Sequence, residues 1–195
     1  MAAGRPLSFN PDKALDRAMH VFWRNGYERT SVAALTRAMR INPPSLYAAF
    51  GNKKALFEKA LARYAAGPGC YVSKALGART ARAVVEQLLD GVIRLQTAKG
   101  HPGGCLIVRS ALAAGDAAAP TRKIAASYLA ATEGVIRKRL ERAKAEGDLP
   151  PDANPRDLAR YVFAVICGVA VAGATGAGRR QLQTIAQLAL RAWPS

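Results

Sequence analysis

The chain has 195 residues, half of them hydrophobic, and a formal net charge of +16 at pH 7. That length allows one or two domains with a buried core, and the charge indicates a polyanionic partner such as nucleic acid, because lysine and arginine side chains that neutralise phosphates release counterions. Three irregularly spaced cysteines, Cys70, Cys105 and Cys167, argue against a disulfide framework and fit a reducing compartment.

Export and membrane signals are not evident. The first dozen residues lack an apolar signal-peptide core, and the longest apolar run, residues 162–174, is shorter than the ~20 residues of a membrane span. We therefore predict a cytoplasmic protein without a membrane partner. Residues 1–60 hold 10 basic and 4 acidic side chains, and residues 61–195 hold 19 and 9, so a solvated basic surface stays an alternative for the C-terminal part.

Four helices are predicted in the first part of the chain. Asn10 can cap the free N–H groups of the first helix, Pro11 suits its first turn, and Gly26 ends it. Apolar residues recur at intervals of three and four in these segments, which gives each helix a buried face. The other three helices start at further capping residues: Ser31 or Thr30, Asn42 followed by Pro43, and Asn52.

Longer amphipathic segments follow the interruption at residues 67–69. No alternation typical of strands persists, so the predicted fold class is all-α, with about nine helices. The five helices of this part are predicted at about 81–98, 104–114, 120–146, 155–175 and 179–192, with separators at 99–104, 115–120 and 147–155.

The second and third helices have the pattern of a helix-turn-helix. Val32, Leu35, Ile41 and Leu46 can anchor one helix across the other. The third helix, residues 43–50, opens with small and polar side chains, so its N-terminal residues can approach base edges in a major groove.

Several side chains around this unit can reach phosphates. Thr30 and Ser31 lie at a helix N-terminus, where hydroxyl and N–H groups bind anions. Tyr47 presents its hydroxyl from the third helix, and Lys53 adds positive charge at the start of the fourth. The segment therefore predicts a DNA-binding unit.

A set of residues at fixed mutual spacings carries a family resemblance over roughly residues 9–62. The set is Phe22, the run from Gly26 to Val32, Ile41, Ser45, Leu46, Tyr47, Phe50, Lys53, Ala55 and Leu56. In these positions the sequence resembles the TetR family of bacterial transcription regulators. Beyond residue 65 the resemblance lies in the helical architecture alone.

The resemblance implies a homodimer that binds double-stranded operator DNA and senses a small-molecule effector, most often as a repressor. On this basis we predict a helix-turn-helix DNA-binding domain at residues 1–52 and a helical effector-sensing and dimerisation domain at residues 53–195. The implied DNA-contacting residues are Thr30 or Ser31, Tyr47 and Lys53 at phosphates, Pro43, Pro44 and Ser45 nearest the bases, and Asn42 in the turn before them.

Two positions depart from the family pattern. Arg40 stands in the turn where the family usually has glycine. A left-handed backbone there would cost on the order of 1 kcal/mol, and the guanidinium could add a phosphate contact. Ala49 replaces a common histidine, so we expect no contact from position 49. With few bidentate donors in the third helix, sequence specificity is expected from thymine methyl contacts and DNA shape.

The C-terminal helices are predicted to enclose a ligand pocket, although the same residues could pack a core without a cavity. The candidate lining is Leu88, Leu106, Ile124 and Phe163, with Cys105, Arg109, Ser110 and Tyr128 as polar groups. Cys105 could also act as a thiol switch, because a helix start and Arg109 one turn later favour a reactive thiolate; a small buried residue is the alternative.

The last two helices are predicted to form a four-helix dimer seam, in which small residues allow close approach. The candidates are Leu158, Tyr161, Val165, Gly168, Val169, Ala172, Leu182, Ile185, Leu188 and Trp193.

Two other function classes stay open. The glycine-rich segment at residues 173–178 imitates a phosphate-binding turn of a nucleotide-binding enzyme, but only 17 residues follow it, too few for the parallel strands of such a site. A basic scaffold that binds nucleic acid without sequence preference is the other. His20 and His101 are too few for a metal site, and no catalytic triad is evident, so we predict no enzyme activity, metal or cofactor.

Overall fold

The computed structural model describes residues 9–113 and 118–194, and all regular secondary structure in these ranges is helical. This confirms the all-α prediction. The ten α-helices of the described ranges exceed the predicted nine by one short helix. Part of the predicted separator at residues 115–120, and the last residue of the helix predicted at 104–114, lie outside the described residues.

The first four helices are α1 (Pro11–Asn25), α2 (Val32–Met39), α3 (Pro43–Phe50) and α4 (Lys53–Ala66). Each begins at a side chain that accepts a hydrogen bond from the backbone N–H three residues later, which satisfies one donor of the first turn. The caps are Asn10, Ser31, Asn42 and Asn52. Of the two alternatives at α2, Ser31 is the cap.

A 3₁₀ turn at Pro68–Cys70 leads into the longer helices. They are α5 (Tyr71–Leu76), α6 (Ala81–Thr97), α7 (Leu106–Ala111), α8 (Ala119–Ala145), α9 (Pro155–Ala174) and α10 (Arg179–Arg191). Sequence periodicity missed α5 because six residues are too few to repeat a helical face. Buried Arg139 of α8 fixes the C-terminal end of α5, because its guanidinium donates hydrogen bonds to the carbonyls of Leu76, Ala78 and Arg79.

Two hydrophobic clusters form the interior. One joins α1 to α4 and extends to Leu95, Leu106, Ile107 and Ala125 of the later helices. The other joins α5, α6, α8, α9 and α10. Because α4 shares the first cluster with α1, the predicted boundary at residue 52 falls within a continuous core, and it stays a prediction.

Helix α9 is long and apolar enough, by length and composition, to cross a membrane. The apolar run of residues 162–174 is part of this 20-residue helix, and a helix that packs in a protein core passes the same test. One side of α9 packs against α6, α8 and α10 in the core. Its other side is exposed and apolar.

Candidate DNA-binding surface and effector cavity

The turn between α2 and α3 fixes the angle of the helix-turn-helix. Arg40 has φ 60° and ψ 46°, the left-handed conformation for which the family usually has glycine at this position. Its N–H donates to the carbonyl of Arg37, and the N–H of Ile41 donates to the carbonyl of Thr36. These hydrogen bonds close the end of α2, so the chain reverses within three residues.

Helix α3 has one buried and one exposed side. The helices α1, α2, α3 and α4 together form the DNA-binding head. Leu46 and Phe50 are buried in the hydrophobic cluster of this head, whereas Tyr47 is 51% exposed. Pro43 and Pro44, the first two residues of the helix, are also exposed. A helix anchored on one side with its N-terminal residues free has the form that a major groove accepts.

Three of the predicted DNA-contacting residues are held by local hydrogen bonds or ring contacts. Asn42 Oδ1 accepts from the N–H of Ser45 at 2.8 Å, so this side chain caps α3. The Ser31 hydroxyl caps α2 in the same way and is exposed. The ammonium of Lys53 lies 4.1 Å from the centroid of the Tyr27 ring, and partial burial lowers the pKa of Lys53 while Glu28 opposes that shift.

Thr30 is the exception among the predicted phosphate contacts. Its side chain is fully buried, and its hydroxyl donates to the carbonyl of Gly26 at 2.6 Å. The hydroxyl therefore fastens the end of α1 and has no path to a phosphate. Of the two neighbouring hydroxyls, Ser31 is the one that faces solvent.

A cavity of about 290 Å³ lies between α4 and the C-terminal helices. Its wall is mainly apolar and includes Val92, Leu95, Ile107, Leu129, Phe163 and Ile166. The polar groups on the wall are hydroxyls, thiols and an amide, from Tyr64, Tyr71, Ser73, Thr132, Cys105, Cys167 and Gln96. This composition is typical of sites for small organic molecules.

Of the eight residues predicted for this pocket, the structure places Cys105 and Phe163 on its wall. The other six lie elsewhere. Leu88 and Leu106 are fully packed in the two cores, and Ile124 and Tyr128 pack against the head cluster. The Ser110 hydroxyl donates to the carbonyl of Leu106, and Arg109 donates to the carbonyl of Trp23.

Sequence reasoning missed Tyr64, Gln96 and Cys167 on the wall. Tyr64 lies on the buried face of α4, and that face also borders the cavity. Gln96 and Cys167 stand on helices whose periodicity shows only which side is apolar. No sequence signal places these three side chains together, because they come from α4, α6 and α9.

Two hydrogen bonds of the Gly104 backbone connect the cavity wall to α1. The N–H of Gly104 donates to Gln96 Oε1 at 2.7 Å, and the carbonyl of Gly104 accepts from Trp23 Nε1 at 3.0 Å. Gly104 has φ 71°, and a Cβ there would lie 2.9 Å from the Cβ of Ala174. Glycine is therefore required at this point by both backbone and space.

The exposed side of α9 and α10 forms an apolar surface. Tyr161 is 38%, Val171 45% and Leu188 54% exposed, with Ile185 and Gly168 also at the surface. The predicted seam residues Leu158, Val165 and Ala172 are half-buried beside them. Val169, Leu182 and Trp193 do not belong to this surface, because their side chains are buried in the protomer's own core.

The glycine-rich segment at residues 173–178 begins in the last turn of α9 and continues as the link to α10. Within the described ranges no strand precedes it. It therefore lacks the strand-turn-helix setting of a nucleotide-binding site.

Comparison with known proteins matches both parts of the chain. The family described as "Bacterial regulatory proteins, tetR family" matches residues 14–60, and "Tetracyclin repressor-like, C-terminal domain" matches residues 81–188. The HTH-type transcriptional repressor ComR of Escherichia coli is 31% identical over 193 residues, which is 98% of this chain and 92% of ComR. The repressor BdcR of the same organism is 35% identical over 136 residues, or 68% of this chain and 66% of BdcR.

Among solved structures, a cysteine mutant of the TetR family regulator CifR in complex with 26 bp operator DNA is similar to the whole chain. The two share 41% sequence identity with a TM-score of 0.92, over 98% of this chain and 100% of that one. Fold, helix-turn-helix and relatives agree. The chain belongs to the TetR family of bacterial regulatory proteins and is a helix-turn-helix DNA-binding transcriptional regulator.

Proposed function

We propose that this protein is a homodimeric repressor that binds operator DNA through α3 of each subunit and leaves the DNA when a small molecule occupies the cavity. The observation that carries the DNA-binding role is the exposed N-terminal end of α3, with Pro43 and Pro44 at its start and Tyr47 one turn later. The relatives support it, because ComR and BdcR are transcriptional repressors and CifR was solved in complex with operator DNA.

The proposed phosphate contacts are Ser31, Arg40, Tyr47 and Lys53, all on the solvent side of the head or at its edge. Pro43, Pro44 and Ser45 would meet the base edges. Because these residues offer apolar contact and one hydroxyl, the proposed readout combines thymine methyl groups with DNA shape.

The proposed dimer forms through the apolar surface of α9 and α10. To bind two half-sites, the two α3 helices of the dimer must lie about 34–36 Å apart, which is the spacing of successive major grooves on one side of B-DNA. The exposed apolar side chains of this surface, which a lone protomer would leave in water, support that proposal.

The proposed release follows from differential binding. An effector moves the protein away from DNA only if it binds the non-operator geometry more tightly than the operator geometry. Helix α4 connects the two sites, because it starts at Lys53 beside the DNA-binding surface and carries Tyr64 on the cavity wall.

Genomic-fragment selection with the purified full-length protein tests the proposal. We expect enrichment of duplexes that contain a two-fold symmetric sequence, with half-sites about one helical turn apart. A basic scaffold without sequence preference predicts instead that all fragments compete equally, and that result would overturn the operator proposal. The cytoplasmic location and the absence of enzyme activity are proposed on the same ground, as properties of a DNA-binding regulator.

A further inference from the structure

The wall of the cavity carries no counter-charge for an ionic ligand. Among the described residues that line it, none is an aspartate, glutamate, lysine, arginine or histidine. An isolated charge brought into such a mainly apolar space would lose its hydration without compensation. Anions and cations are therefore poor ligands for this site.

Two polar groups of the wall lack the partner that burial demands. Tyr64 is 99% buried, and its hydroxyl lies beside the Cys105 thiol and the backbone of Leu106 but makes no hydrogen bond of normal geometry with a described residue. Gln96 Oε1 accepts from the N–H of Gly104, which orients the amide and leaves Gln96 Nε2 buried without an acceptor. Both unsatisfied groups can donate a hydrogen bond.

The hydroxyl of Tyr64 and the thiol of Cys167 stay neutral at physiological pH. Burial, with the adjacent Cys105 thiol, raises the pKa of Tyr64 well above its usual value. Burial likewise raises the pKa of the Cys167 thiol to about 11. A neutral hydroxyl and a neutral amide that each hold an unused hydrogen call for an acceptor atom from elsewhere.

We propose that this cavity binds an uncharged, mainly apolar organic molecule whose carbonyl or ether oxygen accepts hydrogen bonds from Tyr64 Oη and Gln96 Nε2. The volume of about 290 Å³ limits the ligand to a small one, at the lower end of the ~300–1,000 Å³ of small-molecule sites. That this molecule is the effector rests on the proposed function; the ligand chemistry follows from the cavity alone.

The test measures the binding of a panel of matched probes to the full-length protein by ligand-observed NMR. The probes are 2-octanone and acetophenone, their hydrocarbon counterparts octane and ethylbenzene, and the ions octanoate and benzoate. We expect the ketones to bind at least about tenfold more tightly than the hydrocarbons, and the carboxylates to bind most weakly. Equal binding of ketones and hydrocarbons, stronger binding of the carboxylates, or binding of no ketone overturns the proposal.

Two near-isosteric variants locate the contact. In Tyr64→Phe the preference for ketone over hydrocarbon should fall about tenfold while hydrocarbon affinity is kept. Tyr128→Phe is the matched control, since Tyr128 lies on α8 outside the cavity wall. Tyr64→Phe should also raise the melting temperature of the empty protein, because an unsatisfied buried hydroxyl is removed. A ketone preference that survives in Tyr64→Phe overturns the assignment.

A DNA-release assay separates this inference from the proposed function. A ketone that binds the cavity through Tyr64 without changing operator affinity would confirm the ligand chemistry and contradict the release mechanism. Operator binding by a protein that takes none of the ketones would contradict the ligand chemistry alone.

Discussion

Trp23 and Tyr64 pack edge to face, with ring centroids 4.8 Å apart and planes at 88°. Trp23 belongs to α1 of the DNA-binding head, and Tyr64 borders the cavity. A ligand that displaces the Tyr64 ring must therefore push it against Trp23 and so against α1, since the two rings are in buried contact. The Trp23 indole also donates a hydrogen bond from Nε1 to the carbonyl of Gly104, in the loop before α7.

Arg109→Ala should weaken this connection. The guanidinium donates to the carbonyl of Trp23 at 3.0 Å and so joins α7 to the end of α1. We expect ligand affinity to stay the same, while the loss of operator affinity caused by ligand shrinks by about 2- to 30-fold, or ~0.5–2 kcal/mol of coupling. Operator titrations with and without a bound ketone measure this. Arg82→Ala, which removes an exposed pair with Glu86, is the control; an equal effect there would contradict the assigned connection.

Arg40→Gly should trade DNA affinity for stability. Arg40 has a left-handed backbone, which costs a residue with a Cβ on the order of 1 kcal/mol relative to glycine, partly offset by the greater freedom of glycine in the unfolded chain. We therefore expect the free energy of unfolding to rise by up to about 1 kcal/mol in urea titrations. Operator binding should become weaker and less salt-dependent, with a slope lower by roughly one. A stability gain without any change in salt slope would show that Arg40 makes no phosphate contact.

The head was predictable because its signals are local. Caps, proline positions and apolar spacing act within a few residues, and Asn10, Asn42 and Asn52 cap helices as the sequence indicates. Thr30 shows the limit of this reasoning. Two adjacent hydroxyls look equivalent in sequence, and only the path of the chain from Gly26 decides that Thr30 points inward.

The cavity and the dimer surface depend on contacts between distant helices. Residues spaced by three and four on α9 include two apolar faces, so periodicity grouped buried Val169 with exposed Tyr161. The cavity needs α4, α6 and α9 to leave space between them, and volume left empty by packing has no signature in the spacing of one helix. Cys167 and Gln96 were accordingly invisible as neighbours.

Lys53→Ala and Tyr47→Phe should weaken DNA binding on all sequences alike. Each removes a proposed phosphate contact, and such contacts position the protein without selecting bases. The lysine change should also lower the slope of log affinity against log salt by roughly one. The control is Lys138→Ala, an exposed lysine of α8. If either variant altered the preferred sequence and kept its affinity, the residue would have to contact a base.

The Cys167 thiol should react slowly and destabilise the fold at high pH. Burial, with the Cys105 thiol beside it, raises the pKa of Cys167 from 9.0 to about 11. At pH 8 we expect alkylation roughly a hundredfold slower than that of an unstructured peptide cysteine. Because the folded state keeps the proton between pH 9 and 11, the free energy of unfolding should fall across that window and be unaffected by this thiol below pH 9. Urea titrations of Cys167→Ala against the native chain isolate the effect; identical pH curves would refute it.

Leu188→Glu should separate the two subunits. Leu188 is 54% exposed on α10 in the apolar surface that we propose as the seam. In a two-fold dimer each substitution places a carboxylate in both copies of the contact, where it is desolvated without a partner. Sedimentation should show a folded monomer, and operator affinity should drop because one α3 helix then reads only one half-site. Ala62→Glu is the control, since Ala62 is an exposed residue of α4 outside the apolar surface of α9 and α10. A dimer that withstands Leu188→Glu would contradict the proposed seam.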